Sequence, residues 1–203
     1  MTADRFREFV TKHPEYESTA RLDEIRAADY SRLDEADDAY LDYTGAGIYA
    51  ASQVRRHTDL LASSLLGNRH SASPAWLGAT HLVERARRAV LDWFNAGDQY
   101  TAIFTLNATG ALKHIGESYP FASGGRLLLT VDNHNSVNGI REFAVARGAS
   151  VSYAPLTARE LRVDEPQLER LLAASDRHAN NLFAFPAQSN FSGVKHPLDL
   201  VER

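Results

Sequence analysis

Cysteine is absent from the 203-residue chain. Its absence excludes disulfides, cysteine-based zinc sites and a thiol nucleophile within this chain. Lysine is also scarce, since the 22 basic residues include only Lys12, Lys113 and Lys195. Because lysine is the side chain that forms Schiff bases with carbonyl groups, the chain has only three candidates for that chemistry.

Long apolar runs are missing as well, and no segment approaches the roughly 20 residues that a membrane-spanning helix needs. The first ten residues are charged and lack the apolar core of a signal peptide. Hydrophobic residues make up 44% of the chain, and its net charge is -4. That charge gives no reason to expect nucleic acid or an acidic membrane as a partner. We therefore expect a cytoplasmic protein with neither partner.

The order of apolar segments predicts an α/β fold. Residues 1–38 are charge-rich, and we expect a helical arm there. Over residues 39–203, strands alternate with helices, which predicts a mostly parallel sheet with flanking helices in one incomplete large domain. The predicted strands are 39–43, 100–105, 126–131, 149–154 and 181–185. The predicted helices are 52–66 with Ser52 as its cap, a long helix opening at Pro74, 109–119, 136–147 closed by Gly148, and 164–174 capped by Asp164.

A histidine follows the predicted strand 126–131. His134 lies among side chains able to form hydrogen bonds, between that strand and the next helix. Open α/β sheets bind ligands at the carboxyl ends of their strands. A planar imidazole at that edge can lie against a flat aromatic cofactor, although a single histidine in a loop is more often a solvated polar residue.

Two further loops are predicted at the same edge of the sheet. In the segment 104–112, small residues and a helix that begins near Thr109 offer a cradle for phosphate. In the segment 186–193, Asn190 could donate to a ligand oxygen, and Gly193 permits a tight turn. Each loop taken alone is more typical of a helix cap or a turn. The same holds for a fourth polar loop, Gly67–Ser71.

Other chemistries find less support in the sequence. Asp132 and His134 lack a further ligand at metal-binding spacing, so we expect no metal site. Ser71 and Ser136 lack the G-x-S-x-G setting of a hydrolase nucleophile. The 104–112 loop lacks the Gly-Lys-Ser/Thr ending of a Walker motif.

Taken together, the segments resemble the class V aminotransferase family of pyridoxal-phosphate (PLP) enzymes, and within it the cysteine-desulfurase domain of molybdenum cofactor sulfurases. Six segments match the family in order and spacing. They are Tyr40–Ala46 (Y-L-D-x-A-G/A), Gly67–Ser71 (G-N-P-H-S, with Arg69 where proline is usual), Val83–Arg87 (V-E-x-A-R), Phe104–Thr109 (F-T-x-G-A-T), Asn133–Val137 and Pro186–Gly193.

The resemblance implies a partial fold-type-I large domain and a role for each matching position. Thr109 and the backbone N–H groups near Ala108 would bind the phosphate of PLP. His134, which we take as the catalytic residue, would stack on the pyridine ring. Asn190 would donate to the phenolic oxygen of the ring. The implied reaction removes sulfur from L-cysteine, and the family also implies a homodimer.

The resemblance further implies that essential groups lie beyond Arg203. These are the Schiff-base lysine, the aspartate that pairs with the pyridine nitrogen, and the cysteine that carries the persulfide. We therefore expect the chain to be the N-terminal half of such an enzyme, inactive alone. Three alternatives stay open: a non-catalytic or split subunit, a different PLP-dependent lyase or aminotransferase, and a nucleotide-binding module that uses the Thr109 loop.

Overall fold

The computed structural model describes residues 3–43, 45–67 and 73–202, and the chain divides into two compact units, Met1–Thr101 and Ala102–Arg203. The first unit is helical. Its helices are α1 (Ala3–Lys12), α2 (Ala20–Asp29), α3 (Ser31–Glu35), α4 (Ala51–Ser63) and α5 (Pro74–Trp93), with a 3-10 turn at Pro14–Thr19. No helix among the described residues is both long and apolar enough to cross a membrane.

Helix α4 is capped from a distance. Ser52 was expected to be its N-cap, but that expectation is wrong, because Ala50 holds the N-cap position. The backbone N–H and the hydroxyl of Ser52 instead donate to the carboxylate of Asp29, at 2.8 and 2.9 Å. These hydrogen bonds, with smaller contributions from Arg55 and Arg56, lower the pKa of Asp29 below its ordinary value. The carboxylate therefore supplies the capping acceptor that Ala50, which has no polar side chain, cannot supply.

The second unit is an α/β layer structure. Its strands are β1 (Arg126–Thr130), β2 (Ser150–Ala154) and β3 (Leu182–Ala184), all parallel and in the order β2-β1-β3. Its helices are α6 (Ala108–Ser118), α7 (Asn135–Asn138), α8 (Ile140–Ala146) and α9 (Glu165–Ala173), followed by a 3-10 turn at Leu198–Val201. The predicted α/β fold with a parallel sheet and flanking helices is confirmed.

The central strand β1 is buried on both of its faces. Successive side chains of a strand point to opposite faces, and Leu127 and Leu129 pack with Ile140 and Ala144 of α8 on one face. Leu128 packs on the other face, with a cluster that includes Leu168 of α9. Burial on both faces is typical of parallel strands, and it explains the unbroken apolar run from residue 127 to 129.

The chain leaves β1 and β3 toward opposite faces of the sheet. After β1 it enters α8, which packs with Leu127, whereas after β3 it reaches Leu200, which packs with Leu128. Such a reversal between two adjacent strands opens a crevice at their carboxyl ends, where α/β proteins bind ligands. The segments beginning at Asp132 and at Phe185 start at those two ends.

Several local predictions need correction. No strand forms at 39–43 or at 100–105. Both segments are irregular apart from a turn at Tyr43. Ile103 and Phe104 are exposed, at 76% and 55%, and a strand needs a neighbour to satisfy its backbone. The helix predicted at 136–147 is divided at Gly139 into α7 and α8, and the one predicted at 52–66 ends at Ser63. Gly148 has φ of +82°, as its predicted closing position requires.

Candidate functional site

The start of α6 presents backbone donors. Asn107 caps the helix, since its side-chain oxygen accepts from the N–H of Gly110 at 2.9 Å. The first backbone bond that returns to this cap runs from Ala111 N to Asn107 O, so the N–H groups of Ala108 and Thr109 precede the helical ladder. Both residues are exposed. An eleven-residue helix thus directs outward the positive end of its dipole and two N–H groups that have no hydrogen-bond partner among the described residues.

A chain of hydrogen bonds joins two of the predicted site residues. Thr109 Oγ1 lies 2.7 Å from Ser136 Oγ, and Ser136 Oγ lies 2.9 Å from His134 Nδ1. The sequence pattern indicates only that Ser136 is a poor candidate for a nucleophile, and no spacing rule connects it to Thr109. The fold makes it the link between the helix-start loop and the histidine.

The same contacts assign the tautomer of His134. The backbone N–H of Ser136 donates to Nδ1 at 3.2 Å, so Nδ1 is an acceptor. The same lone pair is shared with the Ser136 hydroxyl, and in the bond between the Ser136 and Thr109 hydroxyls either oxygen can be the donor. In the neutral ring the proton is therefore on Nε2, the nitrogen that faces away from this chain of hydrogen bonds. Since hydroxyls rotate freely, both can turn toward an incoming anion.

The backbone that carries His134 is fixed by its neighbour. Asn133 is 8% exposed, and its side-chain nitrogen donates to Thr130 O, to Thr130 Oγ1 and to Ala184 O, at 3.0, 3.1 and 2.9 Å. The carbonyl of Asn133 accepts from Asn138 of α7 at 3.0 Å. A buried amide with three acceptors holds the segment after β1 against the end of β3, and so restricts where the imidazole lies.

Asn190 lies at the tip of a tight turn. Ser189 N donates to Val194 O, and Gly193, with φ of +72°, donates its N–H to Ser189 O; both distances are 2.9 Å. Ser189 is 1% exposed and anchors the turn, whereas Asn190 is exposed. Among the described residues, no hydrogen bond joins the Asn190 side chain to Thr109, Ser136 or His134. The predicted turn is therefore present, and within the part of the chain that the structure describes the Asn190 amide has no hydrogen-bond partner.

The structure also contains a pair that the sequence did not reveal. Asp132 was considered together with His134 as a possible metal pair, but its partner is His196, with Oδ2 and Nε2 2.8 Å apart. The two side chains are 4% and 0% exposed. The residues are 64 positions apart, and no motif links them.

The remaining predicted positions contribute less. The loop Gly67–Ser71 lies outside the described residues except for Gly67, and so does Thr44 of the Tyr40–Ala46 segment. Lys113 is paired with Glu117 at 2.7 Å, and this contact lowers the pKa of that carboxyl group. Lys12 is paired with Glu8 at 2.9 Å.

Comparison with known proteins identifies the family. The family model described as "Aminotransferase class-V" matches residues 39–203. The chain belongs to the class V aminotransferase family. The resemblance inferred from the six sequence segments is thereby confirmed.

Named relatives narrow the similarity. A molybdenum cofactor sulfurase from Solanum lycopersicum is 36% identical over 213 aligned positions, covering 97% of this chain and 26% of that protein. One from Oryza sativa subsp. japonica is 39% identical, covering 89% of this chain and 25% of that protein. The chain thus spans about a quarter of the length of the curated relatives it matches.

Solved structures share the fold. The cysteine desulfurase CsdA from Escherichia coli superposes with a TM-score of 0.67 at 23% identity, over 86% of this chain and 43% of that chain. At that level of identity the likeness concerns the fold alone. It agrees with the parallel sheet and flanking helices described above.

Proposed function

We propose that this chain binds the phosphate and one face of PLP in a class V aminotransferase-like enzyme. The observation that carries the proposal is the hydrogen-bonded series Thr109–Ser136–His134 beside the start of α6. Thr109, Ser136 and the N–H groups of Ala108 and Thr109 would bind the phosphate. His134 would stack on the pyridine ring, and Asn190 would donate to its phenolic oxygen.

The donor set fits such a cofactor. A phosphate is an anion with several acceptor oxygens, and helix N-termini with nearby hydroxyls are its usual protein partners. Both hydroxyls are held within 2.7 Å of each other, so a single phosphate could bridge them. The imidazole, tethered through Nδ1, can offer its face to a flat ring and its Nε2–H to a neighbouring acceptor.

The reaction we propose for the full-length protein is removal of sulfur from L-cysteine, as in a cysteine desulfurase or a molybdenum cofactor sulfurase. The names of the relatives support this choice, with molybdenum cofactor as the sulfur acceptor. Bound PLP supplies an electron sink for charge that develops on the amino acid. The residues of this chain would bind the phosphate and orient the ring, and His134 would hold its Nε2 proton beside that ring. Another PLP-dependent lyase or aminotransferase reaction would use the same residues.

The contacts of the lysines bear on where the lysine that attaches PLP is located. Among the described residues, no lysine side chain forms a hydrogen bond or ion pair with Thr109, Ser136 or His134. We propose that the lysine which attaches PLP belongs to a segment outside this chain, in the same polypeptide or in a partner. If the lysine belongs to a partner, this chain is a split subunit. Adding this chain to that partner should then lower the partner's Kd for PLP.

We further propose a cytoplasmic protein that acts as a homodimer without nucleic-acid or membrane partners. The net charge of -4 and the ordinary composition support the absence of a polyanionic partner. Size-exclusion chromatography with light scattering tests the dimer, and a monomeric full-length protein would refute it.

The phosphate role is tested by removing one hydroxyl at a time. In the full-length protein, Thr109→Ala should raise the Kd for PLP by roughly 10- to 150-fold, or about 1.5–3 kcal/mol, for a lost hydrogen bond to a charged group. Thr109→Ser should restore most of the affinity, and Ser136→Ala should weaken binding in the same direction as Thr109→Ala. Titration followed by the absorbance of PLP measures each Kd.

The matched control is Ser118→Ala, which removes an exposed hydroxyl at the other end of the same helix. Its Kd should equal that of the wild type. If Thr109→Ala and Ser136→Ala bind PLP as the wild type does, the phosphate lies elsewhere and the proposal is wrong.

A further inference from the structure

A buried acid–histidine pair connects the two loops that the proposed function uses. His196 Nε2 lies 2.8 Å from Asp132 Oδ2, and neither side chain is more than 4% exposed. Asp132 lies two positions after the last residue of β1, Thr130, and two positions before His134. None of the roles assigned above uses either member of the pair.

His196 stands at the base of the Asn190 turn. Its backbone N–H donates to Ala187 O at 3.0 Å, and the adjacent Lys195 pairs with Gln188 in an antiparallel bridge. The turn from Ala187 to His196 is thus closed at its base, with Asn190 at its tip. A contact to the side chain of His196 therefore acts on the base of the turn.

Among the described residues, the segment after β1 is attached at two points, one on the turn and one on Ala184 of β3, just before the turn. One is the Asp132–His196 bond, and the other is the donation from Asn133 Nδ2 to Ala184 O at 2.9 Å. Two separated attachments fix orientation as well as distance. The segment that carries His134 and the turn that carries Asn190 are therefore held in one arrangement.

Burial of an acid–histidine pair costs desolvation free energy. Well-packed apolar residues often stabilise a buried site as much as an ion pair does, whereas a buried pair can fix registry. Among the described residues, Asp132 Oδ1 and His196 Nδ1 have no hydrogen-bond partner. Within those residues, each side chain therefore has one hydrogen bond, which is the one to the other side chain. A hydrogen bond requires a defined direction of approach, so this contact restricts orientation.

We propose that Asp132 and His196 are positioning residues that set the Asn190 turn relative to His134. The inference rests on the proposed function, because the groups that the pair positions are those assigned to the PLP ring. It assigns neither residue a direct contact with the cofactor.

Hydrogen exchange in the unligated full-length protein tests the positioning without any cofactor. His196→Phe removes the donor while keeping a ring. The backbone amides of Ser189, of Gly193 and of position 196 should then exchange at least about tenfold faster than in the wild type. His196→Gln, which retains an N–H donor, should restore much of the protection. The control Asp164→Ala removes a helix cap in the same unit, and it should leave the exchange of the turn unchanged.

A double-mutant cycle on the Kd for PLP tests what the positioning achieves. Asn190→Ala should weaken binding about fivefold in the wild type, as for the loss of one ordinary hydrogen bond. In the His196→Phe background the same change should matter less than about twofold, because a displaced amide has little left to lose. If His196→Phe does not fold, Asp132→Val, which removes the acceptor oxygens, takes its place in both measurements.

The outcomes separate this inference from the proposed function. Unchanged exchange in the turn, or fully additive effects on the Kd, would overturn the positioning role. A wild-type protein that does not bind PLP would contradict the proposed function, and the exchange result would then decide on the pair by itself.

Discussion

The two units of the chain bury their apolar side chains to very different extents. In the second unit, eleven apolar residues are buried, among them Leu127 and Leu129 at 0% exposure, and they form clusters on both faces of the sheet. Among the described residues of the first unit, only Ala50 is a buried apolar residue, at 8% exposure. Larger side chains there stay open to solvent, such as Leu41 at 89% and Leu65 at 87%.

The difference shows where a precise site can be supported. The candidate phosphate and ring residues all lie in the second unit, where packed strands hold the loops. The first unit relies more on local contacts, such as the Asp29 cap on α4 and the stacking of Arg32 on the ring of Tyr49, 4.6 Å from its centroid. Packing therefore dominates stability in one unit, and polar contacts have a larger share in the other.

Truncation of a core leucine should separate the two units most strongly. Leu129→Ala, in the middle of the sheet, should lower the free energy of unfolding by about 2–5 kcal/mol, because it leaves a cavity in a packed core. Leu61→Ala in α4, where the side chain is 54% exposed, should cost less than about 1 kcal/mol. Urea denaturation followed by circular dichroism measures both. Equal costs would remove the contrast between the units.

Loss of the cap on α9 should have a smaller effect. The side chain of Asp164 accepts from the N–H of Gln167 at 3.1 Å, so Asp164→Ala should cost about 0.5–2 kcal/mol in unfolding free energy. Asp164→Asn retains a capping oxygen and should behave nearly as the wild type. If Asp164→Ala and Asp164→Asn unfold at the same midpoint, the cap contributes nothing to stability.

The distant cap in the first unit should show the smallest effect, with a distinct dependence on pH. The pKa of Asp29 is lowered in the folded protein by its hydrogen bonds from Ser52, so its stabilising contribution is present above the ordinary value of 3.8 and is lost as the pH falls below it. Asp29→Ala should therefore melt at a lower temperature than the wild type at neutral pH, and the gap should close in acid. Asp23→Ala, on the same helix, is the control and should show no such gap. A gap for Asp29→Ala that persists unchanged at acid pH would contradict the charged cap.

Local signals in the sequence predicted the elements whose causes are local. Pro74 opens α5, Asp164 caps α9 and Gly148 closes α8, because each of these effects acts within one turn of chain. The apolar run around Leu128 predicted a buried strand for the same reason. The strand expected at 100–105 was wrong, because a strand depends on a neighbour that its own sequence does not specify.

The candidate site divides in the same way. The helix start at Thr109, the loop of His134 and the turn of Asn190 were predicted from loop composition and from a family resemblance. Ser136 and the Asp132–His196 pair were not, because both depend on contacts between segments 27 and 64 positions apart. Contacts of that kind become visible only when the order of the strands and the path of each crossover are known.

The central claim is that the start of α6 and the segment after β1 bind the phosphate and ring of PLP. A crystal structure of the full-length protein grown with PLP tests it most directly. We expect phosphate oxygens within hydrogen-bond distance of Thr109 Oγ1 and Ser136 Oγ, with the His134 ring against the pyridine. A cofactor bound with its phosphate away from both hydroxyls would contradict the account.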